Sequence, residues 1–269
     1  MPFFGPAYSG PAKIHYLFVD AGSLRGRLDN LFARFFQGQA YTIAFPALAS
    51  GFTKVFWYDA IPVKTDNKDE TTYNRRAAPQ LEMLDGASNV DRIHIYEGDV
   101  RKRRKRNEQK KVDVMIAVDM LTHTFRRNMH EATLLTGDND FKPLVDALVH
   151  DGMFVTLWYP PDETSKELMR AADVRRPLNM QTLNSLLSSQ SQAIFAIPSV
   201  EYHPPSVEPG NGLHEWHDDG IRHTLNKDGS DFVVLRDGDQ LNRLHVRHPD
   251  LELLRHFCFE TLGFEVPSP

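Results

Sequence analysis

Apolar positions along the chain fall into two alternating textures. Five short runs are dense in β-branched and aromatic residues: IHYLFV (14–19), TKVFWY (53–58), RIHIY (92–96), ATLLT (132–136) and MFVTLW (153–158). Runs of this length and composition predict buried strands. Between and after them lie longer patterns at helical spacing, over 23–36, 70–86, 113–128, 140–152 and 162–173. In the third of these, Val114, Val118, Leu121 and Phe125 recur at i, i+4, i+7 and i+11, which marks one face of a helix. Strand and helix in alternation predict parallel strands covered by helices on both faces, an α/β domain. In such sheets ligands bind beyond the carboxyl ends of the strands.

The texture changes near residue 199. The stretch SVEYHPPSVEPGNGLHEW (199–216) is rich in Pro and Gly and reads as a linker. Beyond it, DFVVLRDGDQLNRLHV (231–246) predicts a hairpin turning at Asp237-Gly238, and 249–263 predicts a helix. The expected organisation is therefore a main domain over 1–198, a linker over 199–213 and a small C-terminal α+β domain over 214–269. A tail of that size needs the main domain or a second copy to bury its core, which makes a homodimer one expected assembly.

Composition narrows the class. An apolar fraction of 41% with 25% charged residues describes an ordinary globular protein. No apolar run is long enough to span a bilayer, and the first residues lack the basic-then-apolar order of a signal peptide. No membrane partner is expected. Cys258 is the single cysteine, which excludes an intramolecular disulfide and a Cys-rich zinc site. A reducing, cytoplasmic setting is the expectation.

Charge is unevenly spread. The run RKRRKRNEQKK (101–111) holds eight Lys/Arg against one Glu in a chain of net charge −5. By itself it reads as a solvated loop or as a polyanion contact. Its position beside an acidic residue favours the second reading. Asp113 follows two residues after Lys111, Asp20 ends the first strand, and Asp138 and Asp140 follow the fourth strand in TGDND. Each has an ordinary structural role available: Asp113 and Asp140 as helix caps, Asp138 as a turn residue. Taken together, carboxylates gathered at one rim of a sheet repel each other unless a cation compensates them. Oxygen ligands without Cys or His point to Mg²⁺ or Mn²⁺, and these ions point to phosphate chemistry.

The motifs YLFVDAGSL, KKVDVMIAVDML, ATLLTGDNDFKPLVDAL and SKELMRAADVRRPL, in that order over residues 13–180, resemble the NYN domain family, the branch of PIN-like nucleases that includes LabA-type proteins. The resemblance implies a three-layer α/β/α, Rossmann-like domain with a mainly parallel sheet. It also implies a Mg²⁺- or Mn²⁺-dependent ribonuclease site, at which Asp20, Asp113, Asp138 and Asp140 match the metal-binding acidic positions. Asp119 matches a further acidic position, although it lies about 240° round an ideal helix from Asp113. Thr136 stands where a Ser or Thr precedes the Gly-Asp pair, and Ser23 stands where the family often has Asn.

The expected reaction is hydrolysis of an RNA phosphodiester. Arg101, Lys102, Arg103, Arg104, Lys105, Arg106, Lys110 and Lys111 are candidates to hold RNA phosphates, with Arg75 and Arg76 as further candidates. Phe141 is a candidate to stack on a base, and a core role is the commoner one for an aromatic residue directly after a turn. A haloacid-dehalogenase-type phosphatase would need a second Asp two residues after the first, where this chain has Gly22. The remaining alternative is an RNA-binding or regulatory module that retains the acidic pocket with little or no nuclease activity.

Overall fold

Strand β1 (His15–Asp20) is an apolar run with four consecutive buried residues, and it lies in the middle of its sheet. In the computed structural model, which describes residues 13–62, 70–100, 110–204, 206–207, 209–238 and 242–268, β1 pairs in parallel on both sides. Its neighbours are β2 (Lys54–Pro62) and β4 (Glu131–Leu135). With β3 (Ile93–Val100), β5 (Phe154–Tyr159) and β6 (Val174–Pro177) they form a six-stranded sheet, ordered β3-β2-β1-β4-β5-β6 and parallel throughout. From β1 two strands, β2 and β3, run outward in one direction and three, β4 to β6, in the other, so the chain switches sides between β1 and β4. This is the strand order of doubly wound folds, whose ligands sit at that switch.

The two faces of the sheet follow from the period of two along each strand. Tyr16 and Phe18 of β1, Phe56 and Tyr58 of β2, Ala132 and Leu134 of β4, and Val155 and Leu157 of β5 share one core. They pack against α4 (Lys110–Phe125), α5 (Lys142–His150) and α6 (Lys166–Ala171) through Ile116, Met120, Val145, Leu148 and Leu168. On the other face, Phe45 of α2 (Phe45–Leu48) meets Trp57 edge to face, and Arg25 of α1 (Ala21–Phe35) pairs with Asp59 of β2. Helix α3 (Glu70–Ser88) reaches β2 through Gln80, whose side-chain amide donates to the Ala60 carbonyl. The result is the expected three-layer α/β/α arrangement, with all five anticipated strands present to within a few residues at their ends. The short strands and helices β6 and α2 went unseen in the sequence because four residues carry too little periodicity.

The structure corrects one feature of α4. The stripe Val114–Val118–Leu121–Phe125 marks a face, but not the buried one. Val112, Ile116 and Met120 face the core, while Val114, Val118 and Phe125 are 60%, 54% and 68% exposed. The helix is apolar nearly all round, so periodicity alone could not choose its inner side.

The chain divides into two compact units, residues 1–29 with 43–177 and residues 30–42 with 178–269. The first contains the six-stranded sheet. The second contains helices α7 (Met180–Ser185), α8 (Ser189–Ile194) and α9 (Leu251–Phe257). It also contains a five-stranded sheet of β7 (Ser199–His203), β8 (Asn211–Asp218), β9 (Ile221–Asp228), β10 (Asp231–Asp237) and β11 (Arg243–His248). Its order is β7-β11-β10-β9-β8, antiparallel throughout. The stretch read as a linker thus contributes β7, paired with β11. Asp219 and Gly220 join β8 to β9 with φ of 48° and 77°, the left-handed pair that two-residue hairpins favour. The expected β10–β11 hairpin forms, but Asp237 already pairs with Arg243, so the chain turns over five residues rather than at Asp237-Gly238. Cys258 is buried in this unit, and burial pushes its thiol up to about 12.

Candidate metal centre

Asp20 continues the inward parity of Tyr16 and Phe18 on β1, but it lies past the last full turn of apolar cover. The register pairs Phe18 with Leu134 and Val19 with Leu135, which brings Thr136, the first residue after β4, beside Asp20. The two side chains bond directly. Thr136 Oγ1 donates to Asp20 Oδ2 at 3.0 Å, and Ser23 Oγ donates to the same oxygen at 2.7 Å. The Ser23 backbone N–H reaches Asp20 Oδ1 at 3.3 Å. Ser23 Oγ in turn accepts the Gly137 N–H at 3.1 Å, and Thr136 Oγ1 accepts the Asp138 N–H at 3.1 Å. One hydroxyl from α1 and one from the end of β4 therefore lock the Asp20 carboxylate and tie it to the loop that carries Asp138.

That loop is itself fixed. Asp138 caps the 3-10 turn Asn139–Phe141, its Oδ1 accepting the Asp140 N–H at 2.9 Å. The cap is thus Asp138 and not Asp140, which sits exposed within the turn, and α5 begins only at Lys142. Asn139 Oδ1 accepts the Ser165 N–H at 3.2 Å, bracing the loop against the start of α6. Gly137 permits this closeness: a Cβ there would lie 3.2 Å from Pro160 Cδ. Asp113 is in the first turn of α4, three residues after its start, and so is not the cap.

Electrostatics tie the four carboxylates together. Burial pushes Asp113 up to about 6, and the neighbouring charges of Asp20, Asp138 and Asp140 add to the shift. All three thus lie close enough to make ionising Asp113 costly. Among the described residues no Lys or Arg forms an ion pair with any of the four. Nor do any three of them bring oxygens within 4.8 Å of one another. The donors are hard carboxylate and hydroxyl oxygens, the chemical type that Mg²⁺ and Mn²⁺ take. Such ions take one or two carboxylates and complete their shell with water and phosphate oxygens.

Other anticipated residues take different places. Asp119 is turned toward β2, where Tyr58 donates its hydroxyl to Asp119 Oδ2 at 2.8 Å. Burial and that bond push the Tyr58 hydroxyl well above its usual range. Asp119 is absent from the charges that act on Asp113. Phe141 is 2% exposed and belongs to the core, so it is no base-stacking platform. Residues 101–109 lie outside the described residues, so Arg101, Lys102, Arg103, Arg104, Lys105 and Arg106 have no place in this geometry. Lys110 and Lys111 open α4, and Arg75 and Arg76 lie in α3; the described side chains do not include these four. Sequence reasoning missed the buried pair Arg25–Asp59, at 2.5 Å, because nothing in DAIP distinguishes a buried Asp.

The NYN domain family model matches residues 63–179, the family that the four motifs resemble. NYN domains are PIN-like and generally nuclease-like. The matched span includes Asp113, Asp119, Thr136, Asp138 and Asp140, while Asp20 and Ser23 precede it. A search of curated proteins returned no match. Among solved structures, a protein of unknown function from Vibrio parahaemolyticus is 17% identical, with a TM-score of 0.45, over 65% of this chain and 96% of that one. A SAM-bound amino pentose methyltransferase from Micromonospora echinaspora, involved in calicheamicin biosynthesis, is 11% identical with a TM-score of 0.16. That alignment covers 94% of this chain and 75% of the methyltransferase. Among the described residues no helix is long and apolar enough to cross a membrane.

Proposed function

We propose, on the premise of the NYN domain match over residues 63–179, that this chain is a metal-dependent ribonuclease. Its reaction is the hydrolysis of RNA phosphodiester bonds at Asp20, Asp113, Asp138 and Asp140. The observation that carries the reading is the gathering of acidic residues at the β1–β4 switch point, where Ser23 and Thr136 tie Asp20 to the loop of Asp138 and where burial, with the charges of Asp20, Asp138 and Asp140, raises Asp113 to about 6.

Asp20, Asp138 and Asp140 are the candidate ligands, with Asp113 completing the set. When bound, Mg²⁺ or Mn²⁺ would supply positive charge to the phosphoryl oxygens and lower the pKa of a coordinated water. The residues around it perform the remaining tasks. Ser23 and Thr136 fix one oxygen of Asp20, so its orientation requires no ordering when substrate arrives. Asp113, whose carboxyl is raised by burial and its acidic neighbours in the metal-free chain, is the carboxylate whose ionisation a bound cation would favour most. The basic run 101–111 ends two residues before Asp113 in the sequence, and its cations are assigned to RNA phosphates. Arg75 and Arg76 are assigned to the same RNA path. Within the expected organisation, residues 1–198 carry the chemistry and 214–269 serve an accessory role.

The test is incubation of the purified chain with end-labelled single-stranded RNA and Mn²⁺, beside the Asp138→Asn/Asp140→Asn variant. Cleavage by the parent and loss of at least a hundredfold in the variant are expected. Equal cleavage by both, or none by either on several RNAs, overturns the reading. One observation favours the regulatory alternative: the four carboxylates do not bring three oxygens within one tight shell. RNA retention without cleavage is the result that alternative predicts.

A further inference from the structure

A row of paired residues crosses one face of the antiparallel sheet in the second unit. Tyr202 pairs with Leu244, Leu244 with Arg236, Arg236 with His223 and His223 with Trp216, and partners in antiparallel register share a face. Phe264 packs against the middle of the row. Its ring lies 4.7 Å from that of His223, and the Arg236 guanidinium carbon lies 5.5 Å from its centroid. Toward the β7 edge lies a cleft of about 470 Å³, lined by Tyr202, Leu244, Arg236, Ile221, Gly238 and Asn242.

Two of these residues have bonding capacity that the fold does not use. Tyr202 is 71% exposed, its ring standing on the edge strand. Arg236 is half-buried, and among the described residues it takes part in no hydrogen bond and no ion pair. The other arginines of the sheet, Arg222, Arg243 and Arg247, each hold a carboxylate. Asp237, the acid at the rim of the cleft, is held by Arg243 at 2.7 Å and faces Arg222 at 3.8 Å, so it does not cancel the Arg236 charge. A guanidinium offers five N–H donors in a planar fork that suits phosphate oxygens. A flat open ring suits a stacked base.

We propose that this cleft holds one nucleotide of single-stranded RNA, its base stacked on Tyr202 and a flanking phosphate on Arg236. The choice of RNA rests on the ribonuclease reading, and the second unit gains the task of retaining substrate. Strands β7 and β10 stand two apart, about 10 Å at the backbone, within reach of one nucleotide from base to phosphate. Sheet faces hold single strands in this way, with aromatic side chains taking unstacked bases and cations following the backbone. An acidic peptide would satisfy Arg236 but leave the Tyr202 ring without a flat partner. Stacking tolerates every base, so little sequence preference is expected.

Fluorescence anisotropy of the full chain with short end-labelled single-stranded RNAs tests the proposal. EDTA in the buffer withholds the metal that cleavage needs, so binding is read apart from chemistry. Tyr202→Ala should weaken binding by about fivefold or more, the low end for one stacked base, and leave its salt dependence unchanged. Tyr202→Phe keeps the ring and should stay within about twofold. Arg236→Gln should weaken binding and lower the slope of log affinity against log salt by about 0.7, the share of one phosphate contact on a single strand. Far-UV circular dichroism checks that each variant remains folded. Irradiation of a bromouridine-substituted RNA in the complex should crosslink it to Tyr202, which separates this cleft from the basic run 101–111. A parent that binds no RNA overturns the proposal, as do an affinity and a salt slope indifferent to Tyr202→Ala and Arg236→Gln. Failure of the nuclease reading has a different signature. RNA would then stay intact with Mn²⁺ while the Tyr202 and Arg236 effects persist, which supports retention at this cleft.

Discussion

Thr136 Oγ1 donates to Asp20 Oδ2 at 3.0 Å across 116 residues of sequence. The bond exists because β1 and β4 are neighbours in register, and it makes the end of one strand part of the site built on the other. Thr136 is fully buried and also accepts the Asp138 N–H. Thr136→Val keeps the shape and removes both interactions. Urea unfolding should show a loss of about 1–3 kcal/mol, the cost of leaving buried polar groups unpaired. Mn²⁺ affinity should fall with it, and Thr136→Ser should restore most of both.

Asp113 sets a pH dependence with a definite sign. Its folded pKa is raised from 3.8 to about 6, so the folded metal-free chain holds a proton that the unfolded chain has released between those values. Stability from this group is present below about pH 4 and is lost as pH rises through 6. Metal binding needs the ionised form, so affinity should fall as pH drops below 6. Titration calorimetry with Mn²⁺ at pH 5.0 and 7.5 should show affinity lower by about tenfold at the acidic value. In Asp113→Asn that dependence should be largely absent, and the metal-free variant should melt higher than its parent at pH 7.

The Tyr58–Asp119 bond separates a structural carboxylate from the metal set. Tyr58→Phe should cost about 0.5–1.5 kcal/mol in chemical denaturation, as expected for one partly buried hydrogen bond. Metal affinity should remain within twofold of the parent. A larger drop would place Asp119 among the ligands.

Asp59 has a fully buried side chain, held at 2.5 Å by Arg25. Burial raises its pKa and the Arg25 charge opposes that rise. Removing the cation by Arg25→Ala strands a carboxylate inside the fold, with an expected loss of about 3–5 kcal/mol. Arg25→Ala with Asp59→Asn should recover part of it. A double-mutant cycle by thermal and urea unfolding measures the coupling.

The alternation of β-rich and helical segments was legible from residue to residue, and with it the α/β class. So was the placement of Asp20 at the end of one buried strand and Asp138 just past another. These are local properties, fixed by side-chain size, branching and period. The hairpin at Asp219-Gly220 is equally local, with Asp-Gly as its turn signal, but the mixed segments LHEWH and IRHTL beside it carry little strand pattern.

What the chain could not state residue by residue is non-local. Strand order decides that β1 lies against β4, and only that adjacency lets Thr136 and Ser23 share one oxygen of Asp20. Helix α4 is apolar on nearly every side, so its period defines faces without ranking them. The sheet selected Val112, Ile116 and Met120 as the inner face and left Val114, Val118 and Phe125 in solvent. The same packing turned Asp119 to Tyr58 and kept Asp113 at the rim. The residue sequence by itself determined which groups could do chemistry; the tertiary contacts decided which of them meet, because register and burial are set by partners 61 residues away for Asp119 and 116 for Asp20.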